Sequence, residues 1–197
     1  MTRRTLVLVC ASAFILLDFV ATVADDREPV VESGTLSFQL HTLDGQPVAH
    51  TDSLFAGRVV FITLWGTFCP PCITEIPTFN AMQQKYSDSG LVVVGIAFER
   101  ETDPETRREQ IREFARKWKI EYLILDGGHL KEFSEKLPGI DQIRGFPVEV
   151  LIDRSGTVVD ARHGSGYRKI WARHLEQRIT RELRKDGHKP DPAVETE

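Results

Sequence analysis

Two nearly unbroken apolar runs, residues 59–64 and 91–97, organise the chain. Strands covered on both faces read this way, and such burial is typical of parallel sheets. Residues 73–86 between them read as a helix. Asp103-Pro104 supplies an N-cap followed by a proline at the first helical position. Ile111, Phe114, Ala115 and Trp118 then recur at helical spacing, predicting a second amphipathic helix over the sheet. Residues 122–125 read as a short strand that Gly127-Gly128 breaks, and 129–137 as a brief helix. Residues 148–152 and 157–161 flank the turn sequence Asp153-Arg154-Ser155-Gly156 and predict an antiparallel hairpin. Trp171, Leu175, Ile179 and Leu183 mark one stripe of a last helix. Near the start, alternation over 35–40 and the turn signal Asp44-Gly45 predict a short exposed hairpin. The order is strand, helix, strand, helix, strand, hairpin, helix. It predicts an α/β fold: a mixed central β-sheet with helices on both faces, plus an N-terminal β-hairpin.

The chain ends lie outside this pattern. Arg3 and Arg4 precede an apolar stretch, 6–17, and Thr22-Val23-Ala24 offers small residues for cleavage before Asp25. That is the layout of a signal peptide. Residues 5–24 are also about long enough for a membrane anchor, since ~20 residues span a bilayer, although Asp18 makes such a span costly. Val9 is bulkier than the residue a lipoprotein site wants before its cysteine, here Cys10. Each version exports the folded part. The expected division is a leader or tether at 1–24, a charged linker at 25–34, one domain at 35–184 and a polar, disordered tail at 185–197. Without residues 1–24, which carry Arg3, Arg4 and Asp18, the formal net charge of −4 becomes −5. That gives no electrostatic footprint for nucleic acid.

The chemistry concentrates in Trp65-Gly66-Thr67-Phe68-Cys69-Pro70-Pro71-Cys72, at the predicted strand-to-helix turn. A Cys-x-x-Cys pair there puts one sulfur at the helix N-terminus and the other one turn inside, an arrangement for making and breaking a disulfide. Of the three cysteines, only Cys69 and Cys72 would remain after removal of the leader. A structural zinc site needs about four ligands, and no second cysteine pair or closely spaced histidine pair is present. A structural disulfide across so short a loop gains little from loop closure. The unpaired N–H groups and the dipole at the helix start favour a Cys69 thiolate, so Cys69 is the expected nucleophile and Cys72 the resolving thiol. Pro70 and Pro71 fall where N–H groups would be unpaired anyway, and Pro77 should kink the helix.

With these residues in place, the chain resembles the TlpA/ResA-like family of exported thiol-disulfide oxidoreductases, built on the thioredoxin fold. The resemblance is carried by 65–72, by Glu75-Ile76-Pro77, and by Gly145-Phe146-Pro147 followed by Val148-Glu149-Val150-Leu151-Ile152-Asp153 and Gly156. It covers about 35–183. It implies a thioredoxin-like fold, an active-site carboxylate at Glu75 able to shuttle the Cys72 proton, and a cis-proline at Pro147 facing the disulfide. That proline would leave the backbone of Phe146 free to pair with an extended substrate. Trp65 and Phe68 are expected to form an apolar rim beside Cys69. No bound cofactor is expected beyond the redox-active Cys69–Cys72 disulfide. The implied partners are a disulfide-containing exported protein and a membrane electron donor, in an extracytoplasmic space such as the bacterial periplasm. Departures are Val148 and Glu149 where the family often has threonines, Thr63 where thioredoxin has a buried aspartate, and a long segment 126–144.

Other functions on related folds fit less well. Copper chaperones typically space their cysteines by three residues and add a distant histidine; here two residues intervene. Thiol peroxidases need a threonine three residues before the reactive cysteine, where Gly66 stands. A binding module that had lost turnover would not need the intact pair and Pro147. His41, His50, His129, His163, His174 and His188 are scattered, and none is given a role; His129 and His163 are expected in loops near the active-site end.

Overall fold

The computed structural model describes residues 30–31, 34, 36–141, 143, 145–164 and 169–185. The expected leader, most of the linker and all of the tail but Lys185 lie outside the described residues. In chain order the elements are β1 (Val30–Val31), β2 (Gln39–Thr42), β3 (Pro47–Ala49), β4 (Val59–Trp65), α1 (Pro70–Tyr86), β5 (Leu91–Glu99), α2 (Pro104–Trp118), β6 (Leu123–His129), a single 3-10 turn (Leu130–Glu132), α3 (Phe133–Lys136), β7 (Ile140–Asp141), β8 (Val148–Ile152), β9 (Val158–His163) and α4 (Lys169–Arg184).

The two apolar runs become β4 and β5, parallel neighbours in which every residue is buried. They sit at the centre of a seven-stranded mixed sheet ordered β3-β2-β6-β5-β4-β8-β9. β6 joins β5 in parallel, while β2, β8 and β9 run antiparallel to their neighbours. Alternation along the strands divides the core. Val60, Ile62, Leu64, Val94, Ile96, Val148 and Val150 face one side; Val59, Phe61, Leu91, Val93 and Leu151 face the other.

The long helices share that second side. Phe79 and Met82 of α1 and Leu175, Ile179 and Leu183 of α4 pack on Val59, Phe61 and Val93. Ile111 of α2 packs with Ala97, Trp65 and Ile124. The cause is topological. β4, β5 and β6 step across the sheet in one direction, and right-handed crossovers then put α1 and α2 on the same face. The first side is covered by Leu36, Phe38, Phe55, Leu137 and Ile140, with Phe133 of α3 against them. Helices do lie on both faces, but very unequally.

Several expectations change in detail. The N-terminal hairpin β2–β3 is not an exposed appendage: β2 pairs with β6, and Leu36, Phe38 and Leu40 are buried in the main core. Gly127-Gly128 does not end β6, which runs on to His129 past an irregularity opposite Ala97 and Phe98. A side chain at Gly127 would meet the Ala97 carbonyl oxygen at 2.9 Å, and Gly128 has φ +97°, so the glycines let two strands close up rather than part. Trp118 is 39% exposed, its ring tilted against Phe114 at the helix end, while Arg107 occupies the buried face instead. β1, in the segment expected to be linker, forms a small separate pair with β7.

Arg107 fixes the entry to α2. Its Nε and Nη2 donate to Asp126 Oδ1 and Oδ2 at 2.7 and 3.1 Å, and its Nη1 donates to the carbonyls of Glu101 and Thr102. Both partners are buried, so removing Arg107 leaves the Asp126 charge in a poor solvent with only the Gly128 amide and Arg108 Nη1, 3.6 Å away, to meet it. Arg107→Ala should therefore cost about 3 kcal/mol of unfolding free energy in urea titration, with the slope unchanged. A loss below about 1 kcal/mol would show that the pair is solvated and contributes as a surface pair does.

Candidate active site

Cys69 is the N-cap of α1, with extended backbone at φ −102° and ψ 96°. It forms a disulfide with Cys72, with Cα atoms 5.4 Å apart. The next two residues are Pro70 and Pro71, which have no N–H. The Cys72 amide is thus the first donor of the helix, and it is shared between the Cys69 carbonyl at 3.1 Å and Cys69 Sγ at 3.3 Å. Both cysteines are nearly closed off, Cys69 at 6% exposure and Cys72 at 4%, so burial scarcely distinguishes them. Their difference lies in position: Cys69 precedes the helix and Cys72 is inside it.

The second half of the site comes from the residues that lead into β8. The Phe146–Pro147 peptide is cis, as the resemblance implied, and Pro147 is buried. Gly164, just after β9, donates its N–H to the Pro147 carbonyl at 2.9 Å. A carbon added at Gly164 would fall 2.6 Å from the Pro147 ring and 2.8 Å from Glu75 Oε1. Glu75, Pro147 and Gly164 therefore meet in one place that only glycine leaves open. Glu75 is fully buried, one turn after Cys72 on α1. Tyr122 feels it: burial raises that phenol above its ordinary value, and the Glu75 charge raises it further.

Phe68 and Phe146 face each other with ring centroids 6.3 Å apart. They flank a groove of about 520 Å³ beside Cys69, Pro70 and Pro71, whose opposite wall is Leu130, Phe133 and Ile143. Those wall residues belong to the long segment 126–144, so the extra length forms one side of the groove. Trp65 is not part of the rim. It is 3% exposed and packs on Phe114 beneath both cysteines, because its place in β4 turns it toward α2.

The departures from the family pattern also have places. Glu149 is buried and points toward α4, accepting hydrogen bonds from Trp171 Nε1 at 2.7 Å and Arg178 Nη2 at 2.8 Å. Burial pushes its carboxyl above the ordinary value, and Arg178 and Trp171 pull it back. It ties β8 to α4. Thr63 is its register partner on β4, likewise buried. His129 and His163 end strands β6 and β9 rather than lying in loops; His129 Nδ1 accepts from the Lys131 amide.

The motif does not indicate Glu99, nor the link between Glu99 and its own Thr67. Glu99 closes β5 and is 2% exposed. Its carboxylate accepts from the Thr67 amide at 2.7 Å and from the Thr67 hydroxyl at 2.9 Å. Burial raises its carboxyl above the ordinary value, while the Thr67 donors, Arg100 and Arg107 act downward. A charge that ends an apolar strand at its C-terminal edge is the available signal, since sites in parallel sheets gather at that edge.

Comparison with known proteins agrees with this arrangement. The chain is similar to the thioredoxin-like protein YneN of Bacillus subtilis, 28% identical over 143 residues, covering 72% of this chain and 74% of that protein. It is similar to the thiol-disulfide oxidoreductase ResA of Bacillus anthracis, 25% identical over 138 residues, covering 70% and 72%. Among solved structures, a thiol:disulfide interchange protein of the thioredoxin family from Chlorobium tepidum TLS superposes with a TM-score of 0.60 at 26% identity, over 80% of this chain and 99% of that one. The model of the family described as Redoxin matches residues 22–174, so with its cysteine pair held at a strand-to-helix turn of a thioredoxin-like sheet, this chain belongs to the Redoxin family.

Proposed function

We propose that the chain is an exported thiol-disulfide oxidoreductase that reduces disulfides of extracytoplasmic proteins. One observation carries the reading: the Cys69–Cys72 disulfide lies at the start of α1 with cis-Pro147 and buried Glu75 gathered about the same helix turn. The relatives named for thiol-disulfide exchange support it.

In the reduced protein, the Cys69 thiolate attacks one sulfur of a substrate disulfide. A mixed disulfide forms, and the second substrate sulfur leaves and takes a proton. Cys72 then gives its proton to Glu75 and attacks Cys69 Sγ. The substrate departs as a dithiol, and the pair is left as the disulfide. Two electrons have passed to the substrate, and a membrane electron donor restores them. The cysteine pair carries the electrons itself, without a bound cofactor. The groove between Phe68 and Phe146 receives the substrate segment, and the Phe146 backbone pairs with it.

Direction follows from the thiolate's surroundings. Pro71, just before Cys72, brings neither charge nor N–H, so the helix N-terminus is the main stabiliser of the thiolate. Ionised Glu75 opposes it. A weakly stabilised thiolate leaves the disulfide preferred, and the reduced pair gives up its electrons.

Among the described residues no helix is long and apolar enough to cross a membrane. Export rests on residues 1–24.

If Cys69 attacks first, Cys72→Ala accumulates mixed disulfides with partner proteins in vivo and Cys69→Ala accumulates few, as read on non-reducing gels. Equal accumulation would contradict the assignment. If Glu75 accepts the Cys72 proton, it works only when ionised, so resolution speeds up as pH rises through its titration. Glu75→Gln should remove that limb and slow resolution at neutral pH about tenfold or more. An unchanged profile between about pH 5 and 9 would leave Glu75 a purely structural carboxylate. Mass spectrometry of the native protein should find a chain starting near Asp25, or a full-length chain confined to membranes. A soluble full-length chain in the cytoplasm would refute export.

A further inference from the structure

The turn that delivers Cys69 to the helix is clamped from the next strand. The amide of Cys69 donates to the Gly66 carbonyl at 3.0 Å, closing the turn. Three consecutive residues at the end of β5 then hold its three members. A side chain at Gly66 would come within 2.7 Å of the Phe98 carbonyl oxygen, so the two backbones touch. Glu99 takes both donors of Thr67, amide and hydroxyl. The Arg100 guanidinium lies over the Phe68 ring at 4.5 Å.

Glu99 is the costly member. A carboxylate at 2% exposure is disfavoured unless strong donors meet it, and Thr67 meets it with two. Its purpose is visible one residue pair later. Since Pro70 and Pro71 supply no N–H, the first helix amide open to a Cys69 thiolate is that of Cys72, which lies 3.3 Å from Sγ in the disulfide, and keeping that contact requires the Cys69 backbone to stay put. Hydrogen bonds weaken quickly with distance and angle, so a turn free to shift by a fraction of an ångström would lose it.

We propose that Glu99 is a positioning residue for Cys69, acting through Thr67 to hold its sulfur on the amide of Cys72. The proposal rests on the reading of Cys69 as the attacking thiol. Position and charge make opposite forecasts. Loss of a negative charge near a thiolate lowers the thiol's titration midpoint, whereas loss of positioning raises it.

The test is the pH dependence of iodoacetamide alkylation of Cys69, read by mass spectrometry in the full chain carrying Cys72→Ala. Alkylation reports the thiolate whether or not the protein exchanges disulfides, so a failure here counts against Glu99 and not against the oxidoreductase reading. Glu99→Ala should raise the midpoint by about one pH unit, a tenfold smaller thiolate fraction below both midpoints. Glu99→Gln keeps an acceptor for the Thr67 amide and a partner for its hydroxyl, and should keep alkylation at neutral pH within about twofold of the parent. Should Glu99→Ala fail to fold, Thr67→Val removes the hydroxyl bond alone and should raise the midpoint by a few tenths of a unit. A lowered or unchanged midpoint in Glu99→Ala, Glu99→Gln as slow as Glu99→Ala, or an unmoved Thr67→Val would each overturn the proposal.

Discussion

A single backbone amide sets the chemistry of this site. Two prolines follow Cys69, so the helix that should present several N–H groups to its sulfur presents that of Cys72 first, at 3.3 Å. At the start of α1, this contact and the dipole behind it are what the helix offers a Cys69 thiolate. Proline at these positions costs the helix nothing, because the missing donors would have been unpaired. The substitution pattern thus leaves α1 stable while limiting how strongly it holds an anion.

The sheet topology explains why that amide can be aimed. β4 and β5 are buried along their whole length and end side by side, so the turn leaving β4 runs against the last residues of β5. Phe98, Glu99 and Arg100 are therefore in reach of Gly66, Thr67 and Phe68. From the other side, the antiparallel pairing of β4 with β8 carries Pro147 to the same edge, where Gly164 and Glu75 close on it. The extra segment after β6 then adds Leu130, Phe133 and Ile143 as the outer wall of the groove.

Much of this was legible in the sequence, because the strongest signals were physical and local. Nearly unbroken apolar runs of this length read as doubly covered strands, and a Cys-x-x-Cys pair after one of them announces its own position. The end of β6 was misread because paired glycines signal a break when only local propensity is weighed; here their lack of side chains serves close strand packing. Trp65 differs from the expectation for a related reason: beside a reactive cysteine an aromatic looks like a rim, but strand parity turns it inward onto Phe114. Glu99 carries only a weak local mark, a charge at the end of an apolar strand. Its role depends on Thr67, 32 residues earlier, and only the parallel pairing of β4 and β5 joins them.

On the proposed reading, a lone amide and a nearby carboxylate leave the Cys69 thiolate only moderately stabilised, and the pair acts as an electron donor. The reduction potential of the Cys69–Cys72 couple, equilibrated against glutathione, tests it most directly. The account predicts a value near or below about −200 mV; a value close to about −120 mV, that of a strong oxidant, would contradict it.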